Sequence, residues 1–562
     1  MTRIFRELLK KRGLDVSFLR PQYEDLFDPF LMLGVKEAVK RIEVARERRE
    51  RIVIYGDYDA DGVTASTVMA EGLEYFGFGR EQITIMLPDR FKDGYGMNVP
   101  VVPEIVATGA TLVITVDCGS GSEEAIAVLR AEGVETIVTD HHEIPQMPQS
   151  AVTVINPKLP GEQVGLRMAG VGVAFTVVRA LNMRKRGVAC EKCLSEGFGR
   201  CDRCEREGGC DGQEKWLLDL VAIGTVCDSM VLQEENRIMV AFGLKVLRKT
   251  RRVGLRELAK RAGVVLEAAT TETIGFQVGP RINAAGRLAS ARIALNLLRA
   301  KSRAEAVKLA DRLEELNKER RRLQEAAVNE VVNGIGDEAV IVVAGKWHEG
   351  VVGIVAGRLT ELYKRPSFAL AELADGRLKG SGRSFGDFSL AQMLQGAFTQ
   401  ELLLTGGGHA GACGLSLEKE KIAEFREFAN SYYGKLGLRN QERYLQVKSD
   451  IVLDDFKEVN EELVEELAQL EPFGEGNLEP VFEVVGLVTG LKILKEKHLS
   501  LILRDVKGQY LKMMAFYASR EWMMVKEGGR VRVKFYLMRN EWRGQVRIEG
   551  RIAEISIEDD IE

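Results

Sequence analysis

Two short stretches gather groups that could hold a cation. "GDYDADG" places Asp57, Asp59 and Asp61 at alternate positions, and "TDHHE" sets Asp140, His141 and His142 side by side. The chain has five histidines in 562 residues, and two of them stand together here. Asp117 in "VDCG" and Asp228 in "VCDSM" follow further apolar runs. Carboxylate oxygen with imidazole nitrogen suits Mn²⁺ or Mg²⁺ rather than a thiolate zinc site. Six or more such groups exceed the needs of one ion. Two ions about 3.5–4 Å apart are a common arrangement for phosphoester hydrolysis, because together they activate water and neutralise charge on the phosphorus oxygens. On this reading one histidine is a ligand and its neighbour reaches the substrate. If residues 57–61 are extended, the three aspartates point to one side.

Such groups need elements to bring them together. Residues 51–57, 83–89, 111–119, 135–142 and 151–158 are short apolar runs, with helical patterns at 64–77 and 122–133 between them. Strands that are apolar throughout and alternate with helices indicate a parallel sheet covered on both faces. The runs end in Asp57, Asp89, Asp117, Asp140 and Asn156. In open α/β sheets the ligand site lies at the carboxyl ends of the strands. Asp and Asn there could instead cap the following helices, but capping leaves the double histidine unexplained.

Further along, residues 302–335 form a charged helix with Leu309, Leu313, Leu316, Leu323 and Ala327 on one stripe. It reads as a connector, and its "KERRR" run as a solvated face. A second α/β unit starts near 338, and from about 446 short alternating strands indicate a small β-barrel. The expected organisation is an N-terminal segment 1–45, a parallel-sheet α/β domain 46–301, a connecting helix 302–337, a second α/β domain 338–435 and an all-β domain 446–556. Net charge is −4, so a nucleic-acid site must be a local basic surface. No run is long and apolar enough for a signal peptide or a membrane span, which predicts a cytoplasmic protein without membrane contact.

The motifs, taken in order, resemble those of the DHH phosphoesterase superfamily. "LPDRFKDGYG", "RINAAGRL", "KWHEGVVGIVAGRL", "KGSGRS", "LLTGGGHAGACG" and "EPFGEGNLEPVF" extend the resemblance to its single-strand-specific exonucleases. It implies a DHH domain, a DHH-associated domain and an OB fold. It implies Asp57, Asp59, Asp117, His141 and Asp228 as metal ligands for two Mn²⁺ or Mg²⁺ ions. His142 would contact the scissile phosphate, and Asp140 would orient a histidine. Related motifs often lack an acid at Asp61. Tyr55 stands where many relatives have histidine, which makes that position a poor ligand. Ser381 and Arg383 would hold a phosphate, with Arg90, Arg281 and His409 as further substrate contacts. Phe516, Tyr517, Tyr536 and Trp542 could stack bases, though strand aromatics are more often core. The implied activity is 5′-to-3′ hydrolysis of single-stranded DNA in repair and recombination, with a single-strand-binding protein and a helicase as partners. Two alternatives are a hydrolase of short oligonucleotides or cyclic dinucleotides, and a non-catalytic DNA-binding replication subunit. The complete acid and histidine set opposes the second, and the long β-domain opposes the first.

One stretch stands outside this pattern. Residues 190–210 hold five of the eight cysteines, including two CxxC pairs. Cys190, Cys193, Cys201 and Cys204 could form a closed structural Zn²⁺ site, leaving Cys210 spare. Cys118, Cys227 and Cys413 sit among apolar residues and read as packing.

Overall fold

The computed structural model describes residues 1–94, 96–144, 146–185, 213–437, 444, 446–495, 497–516, 518, 522–542 and 545–558. The proposed zinc ligands Cys190, Cys193, Cys201 and Cys204 lie outside these residues.

The apolar runs become five parallel strands: β1 (Ile52–Gly56), β2 (Ile83–Met86), β3 (Leu112–Val116), β4 (Glu135–Thr139) and β5 (Thr153–Ile155). Their order is β2-β1-β3-β4-β5. β1 and β3 are buried along their whole length, as strands covered on both faces must be. After β1 the chain turns to one side for β2, then crosses to the other for β3. A sheet of this order opens a crevice between β1 and β3, outside their carboxyl ends. Asp57 and Asp117 are the residues that follow those two strands.

Two helices bring further acids to this crevice. Ala60–Phe76 starts immediately beyond β1, and Leu218–Cys227 ends at Asp228. A buried ion network ties them together at a distance from the crevice. Arg252 pairs with both oxygens of Glu71 at 2.8 and 2.9 Å, and with Asp219 Oδ1 at 3.2 Å. Glu71 belongs to the first helix and Asp219 to the second.

The connecting helix is Arg303–Val331, capped by Ser302. Ala306, Ala310, Leu313 and Leu316 pack on the first core, while Ala327 and Val328 pack on the next domain. That domain holds β6 (Ile341–Gly345), β7 (Ser367–Glu372), β8 (Arg377–Arg383), β9 (Thr405–Gly408) and β10 (Ala412–Glu418), in the order β6-β7-β8-β10-β9. On β8 the two-residue alternation turns Leu378, Gly380 and Gly382 inward. Lys379, Ser381 and Arg383 therefore share the opposite face.

The third domain holds β11 (Ile451–Val452), β12 (Phe482–Leu494), β13 (His498–Arg504), β14 (Tyr510–Ala515), β15 (Arg530–Trp542) and β16 (Gln545–Ile557). Pairing of β12 with β15 closes five of these strands into a barrel, and β11 adds to β12. The N-terminal segment divides between two cores. Ile4, Phe5, Leu8 and Leu9, from the helix Arg3–Arg12, are buried with the barrel. Val35, Ala38, Val39 and Ile42, from the helix Val35–Glu47, are buried with the first domain. The N-terminal helix therefore joins the third domain. Arg12 bonds both oxygens of Asp450 at 2.8 Å, and Thr2 bonds Glu466.

Candidate metal centre and strand cleft

Local turn chemistry decides where the acids point. The triplet is not extended as its alternation suggested. The strand ends at Gly56, and Asp59 caps the helix Ala60–Phe76, its Oδ1 accepting from the Asp61 and Gly62 amides at 2.9 and 3.0 Å. Capping takes up only Oδ1, so it does not rule out a metal role for Asp59. Asp61 lies inside the helix and turns elsewhere. Its two oxygens accept the Gly170 and Val171 amides, at 2.7 and 3.0 Å, at the start of the helix Gly170–Lys185. Asp117 holds a left-handed backbone conformation, φ 60°, which is costly for a residue other than glycine. Gly170 permits its close approach, because a Cβ there would lie 2.6 Å from Asp117 Cβ.

These turns bring the groups together. His141 Nε2 lies 3.1 Å from Asp117 Oδ1, 3.6 Å from Asp228 Oδ2 and 3.9 Å from Asp61 Oδ2. Asp57, Asp59 and Asp117 have ligand atoms within 4.8 Å of one another, as do Asp61, His141 and Asp228. All five expected ligands thus converge, and Asp61 joins them. Burial, then the neighbouring carboxylates, pushes Asp57 and Asp117 well above the ordinary carboxylate range. The same causes push Asp61 up to about 7 and Asp228 up to about 8. Burial, and then His142, lowers His141 to about 3, so its imidazole is neutral at pH 7 with a lone pair to give. Buried Asp57 Oδ1 and His141 Nε2 make no hydrogen bond among the described residues. So many carboxylates cannot all ionise this close together without positive charge among them. Hard oxygen donors with one neutral imidazole fit divalent manganese or magnesium.

Asp140 has a different task. Its Oδ2 accepts the Ser120 amide at 2.9 Å, and its Oδ1 accepts the His141 and His142 amides at 2.7 and 3.1 Å. The same Oδ1 lies 2.9 Å from His142 Nδ1. Burial alone would raise Asp140, but these bonds, His142's foremost, outweigh it and hold the carboxylate at about 2. Burial likewise opposes protonation of His142, yet its bond to Asp140 leaves it above its ordinary value. A permanently charged carboxylate thus fixes the ring, with Nε2 as its remaining nitrogen.

A cationic cleft lies beside this centre, built from the first domain, the connecting helix and the second domain. Burial lowers Arg287 to about 9, helped by Arg90, Arg383 and Arg320 and opposed by Asp59. Four arginines, from the loop after β2, the helix Gly279–Leu288, the connecting helix and β8, therefore lie near one another beside Asp59. None of the four pairs with a carboxylate among the described residues. Arg287 donates to the Gly350 carbonyl, Arg383 to the Gly382 carbonyl and Arg320 to Asn317 Oδ1 and Gln324 Oε1, and Arg90 lies over the Tyr58 ring. Ser381 stands beside Arg383 under Gly353, where an added Cβ would lie 3.1 Å from the Arg383 guanidinium and 3.4 Å from Ser381 Oγ. His409 is exposed, its Nδ1 accepting the Gly411 amide at 3.2 Å, and burial, then Arg383, Lys158 and His142, lowers it below its ordinary value. Arg281 is not brought in with them. Its Nε bonds Glu314 at 2.6 Å and its Nη1 the Gln277 carbonyl at 2.7 Å.

Sequence reasoning missed Arg287, although "RINAAGRL" had been singled out, and it read Arg320 as part of a solvated run. Arg320 is half-buried, while Arg321 and Arg322 beside it are exposed. On the barrel Phe516 is exposed, and Tyr536 lies under Arg551, 4.3 Å from the guanidinium carbon to the ring centre. Tyr517 and the side chain of Trp542 lie outside the described residues. Cys118 and Cys413 are buried in their domains' cores, and Cys227 is half-buried against the first.

Comparison with known proteins gives matches to three family models: the DHH family N-terminal domain over residues 51–199, the DHHA1 domain over 336–435 and the RecJ OB domain over 450–554. The chain is 33% identical to the single-stranded-DNA-specific exonuclease RecJ of Bacillus subtilis, over 99% of this chain and 68% of that one. It is 32% identical to that of Dickeya dadantii, over 97% and 94%. The crystal structure of RecJ in complex with Mn²⁺ from Thermus thermophilus superposes with a TM-score of 0.80 at 30% identity, covering 99% of this chain and 76% of that chain. The Mg²⁺ complex gives 0.74 at 28% identity, over 98% and 74%.

Proposed function

The chain belongs to the RecJ family of single-stranded-DNA-specific exonucleases, and from that premise we propose how its own residues divide the work. It is a metal-dependent exonuclease acting on single-stranded DNA. Two ions, held by Asp57, Asp59, Asp117, His141 and Asp228, would supply an activated water and charge neutralisation at the phosphate. Asp61 anchors the helix Gly170–Lys185 and closes the cluster from behind. His142, fixed by Asp140, presents Nε2 to the scissile phosphate and can place a proton on the leaving oxygen. Arg383 and Ser381 hold the 5′-terminal phosphate, which sets the 5′-to-3′ direction. Arg90, Arg287, Arg320 and His409 hold the backbone behind it, and Arg281 contributes by bracing the connecting helix.

The observation that carries this reading is the meeting of two opposite environments. An acidic cluster that requires cations stands beside four arginines that have no carboxylate partner among the described residues. A phosphodiester held between divalent cations and guanidinium groups satisfies both. Cys190, Cys193, Cys201 and Cys204 would hold a separate structural Zn²⁺. The reading also includes a cytoplasmic role in DNA repair and recombination, with a single-strand-binding protein and a helicase as partners.

The test uses purified protein with Mn²⁺ and strands labelled at either end. Mononucleotides released first from the 5′ end of single strands, with blunt duplex spared, are expected. Release first from the 3′ end, or equal cutting of duplex, would refute the assignment. Metal analysis of the same preparation should find zinc, and its absence would remove the cysteine site.

A further inference from the structure

The loop 471–477, "EPFGEGN", belongs by sequence to the approach to the barrel, yet it docks on the first domain. The Leu232 amide donates to the Glu475 carbonyl at 2.7 Å, Gln233 Nε2 to Gly476 at 2.8 Å and Thr271 Oγ1 to Phe473 at 2.6 Å. Gly474 and Gly476 are needed for this approach. A Cβ on either would come within 2.7 Å of Leu232 or 2.5 Å of Val231. Val231 and Leu232 lie three and four residues beyond Asp228.

Arg237 sits at the centre of this contact, 3% exposed, on the helix Glu234–Leu247. Its guanidinium donates to the carbonyls of Gln469, Leu470 and Glu471, at 3.4, 2.9 and 2.9 Å, and to that of Phe18 at 3.2 Å. Three of these carbonyls follow directly on the helix Glu461–Ala468 of the barrel domain. Among the described residues it has no carboxylate partner. A contact needed only for adhesion could be apolar. A buried charge spread over four carbonyls instead fixes one orientation, because each lost bond leaves a buried donor unpaired. Beyond the loop, Leu478 and Glu479 form one wall of a groove of about 760 Å³, whose other walls include Glu272 of the first domain and Tyr536 and Arg551 of the barrel.

We propose that Arg237 is a positioning residue. Through the loop 471–477 it sets the barrel's orientation against the segment that follows Asp228, so that a strand lying on the barrel enters the metal centre in register. The proposal rests on the single-strand exonuclease reading. It makes the effect of Arg237 depend on substrate length. OB folds engage about 4–16 nucleotides, so a strand of about 30 nucleotides can use the barrel and a 5′-phosphorylated dinucleotide cannot.

The experiment measures KM and kcat on both substrates for the parent, Arg237→Gln, Arg237→Lys and Thr271→Val, with Mn²⁺ affinity measured by titration calorimetry. For Arg237→Gln we expect KM on the long strand to rise about tenfold, with dinucleotide kinetics and Mn²⁺ affinity within about twofold of the parent. Arg237→Lys should recover part of the loss. Thr271→Val should show the same pattern, smaller, and serves if Arg237→Gln fails to fold. Equal losses on both substrates, weakened Mn²⁺ binding, or unchanged long-strand KM would overturn the proposal. A parent protein that cuts neither strand would instead overturn the exonuclease reading, and this proposal with it.

Discussion

At the scale of single residues, neighbours with one chemical type take different tasks from their backbone positions. Asp59 caps a helix and still joins the cluster, Asp61 anchors a second helix, and Asp140 holds a histidine. The histidine pair divides the same way, one neutral beside the carboxylates and one held on Asp140. Arg383 is the residue whose role is tested most simply. Its fork suits two oxygens of a terminal phosphate, so Arg383→Ala should slow cutting of 5′-phosphorylated strands more than of 5′-hydroxyl strands, by about tenfold in kcat/KM. Equal loss on both ends would mean that it holds the internal backbone.

At the scale of elements, the site depends on how two helix ends are held. Glu71, Arg252 and Asp219 join the helices that carry Asp59 and Asp228. Burial alone would raise Glu71, but its bonds to Arg252 dominate and leave it below its ordinary value of 4.5. A carboxylate depressed in the folded state stabilises at pH values above its unfolded pKa, and that stability is lost as pH falls through the folded pKa. Glu71→Gln should therefore lower stability by about 1–3 kcal/mol at pH 7. Its gap from the parent should narrow as pH drops below 4.5, as thermal unfolding across pH can show; a gap constant with pH would contradict this. The elements themselves were largely legible. Ile52–Tyr55 and Leu112–Val116 could be read as strands because both faces are covered, which makes every residue except Thr115 aliphatic or aromatic. The double histidine marked the centre for lack of a packing reason to place it there. Arg287 and Arg320 were not legible. Their significance comes from distant segments meeting, and a basic residue on a helix looks the same in sequence whether it faces water or a cleft. The aspartate triplet misled through its alternation, because capping by Asp59 overrides an extended backbone.

At the scale of the whole molecule, the chain closes on itself. By sequence alone residues 1–45 form a segment without a partner, whereas the apolar stripe of the helix Arg3–Arg12 packs about 450 residues away in the barrel core. Removing residues 1–20 should expose that core and lower the barrel's unfolding temperature by several degrees, with the first domain's transition affected less. Scanning calorimetry would show this, and a single unshifted transition would contradict it. The cluster at the carboxyl ends of β1 and β3 remains the centre on which everything else converges. Its most direct test is Asp59→Asn, because asparagine keeps the helix cap and removes the charge. Cutting of single strands should fall by about a thousandfold or more, the several kcal/mol that metal catalysis supplies, while strand affinity stays within a few-fold of the parent. Activity within about threefold of the parent, at saturating Mn²⁺, would contradict a metal centre built on Asp59.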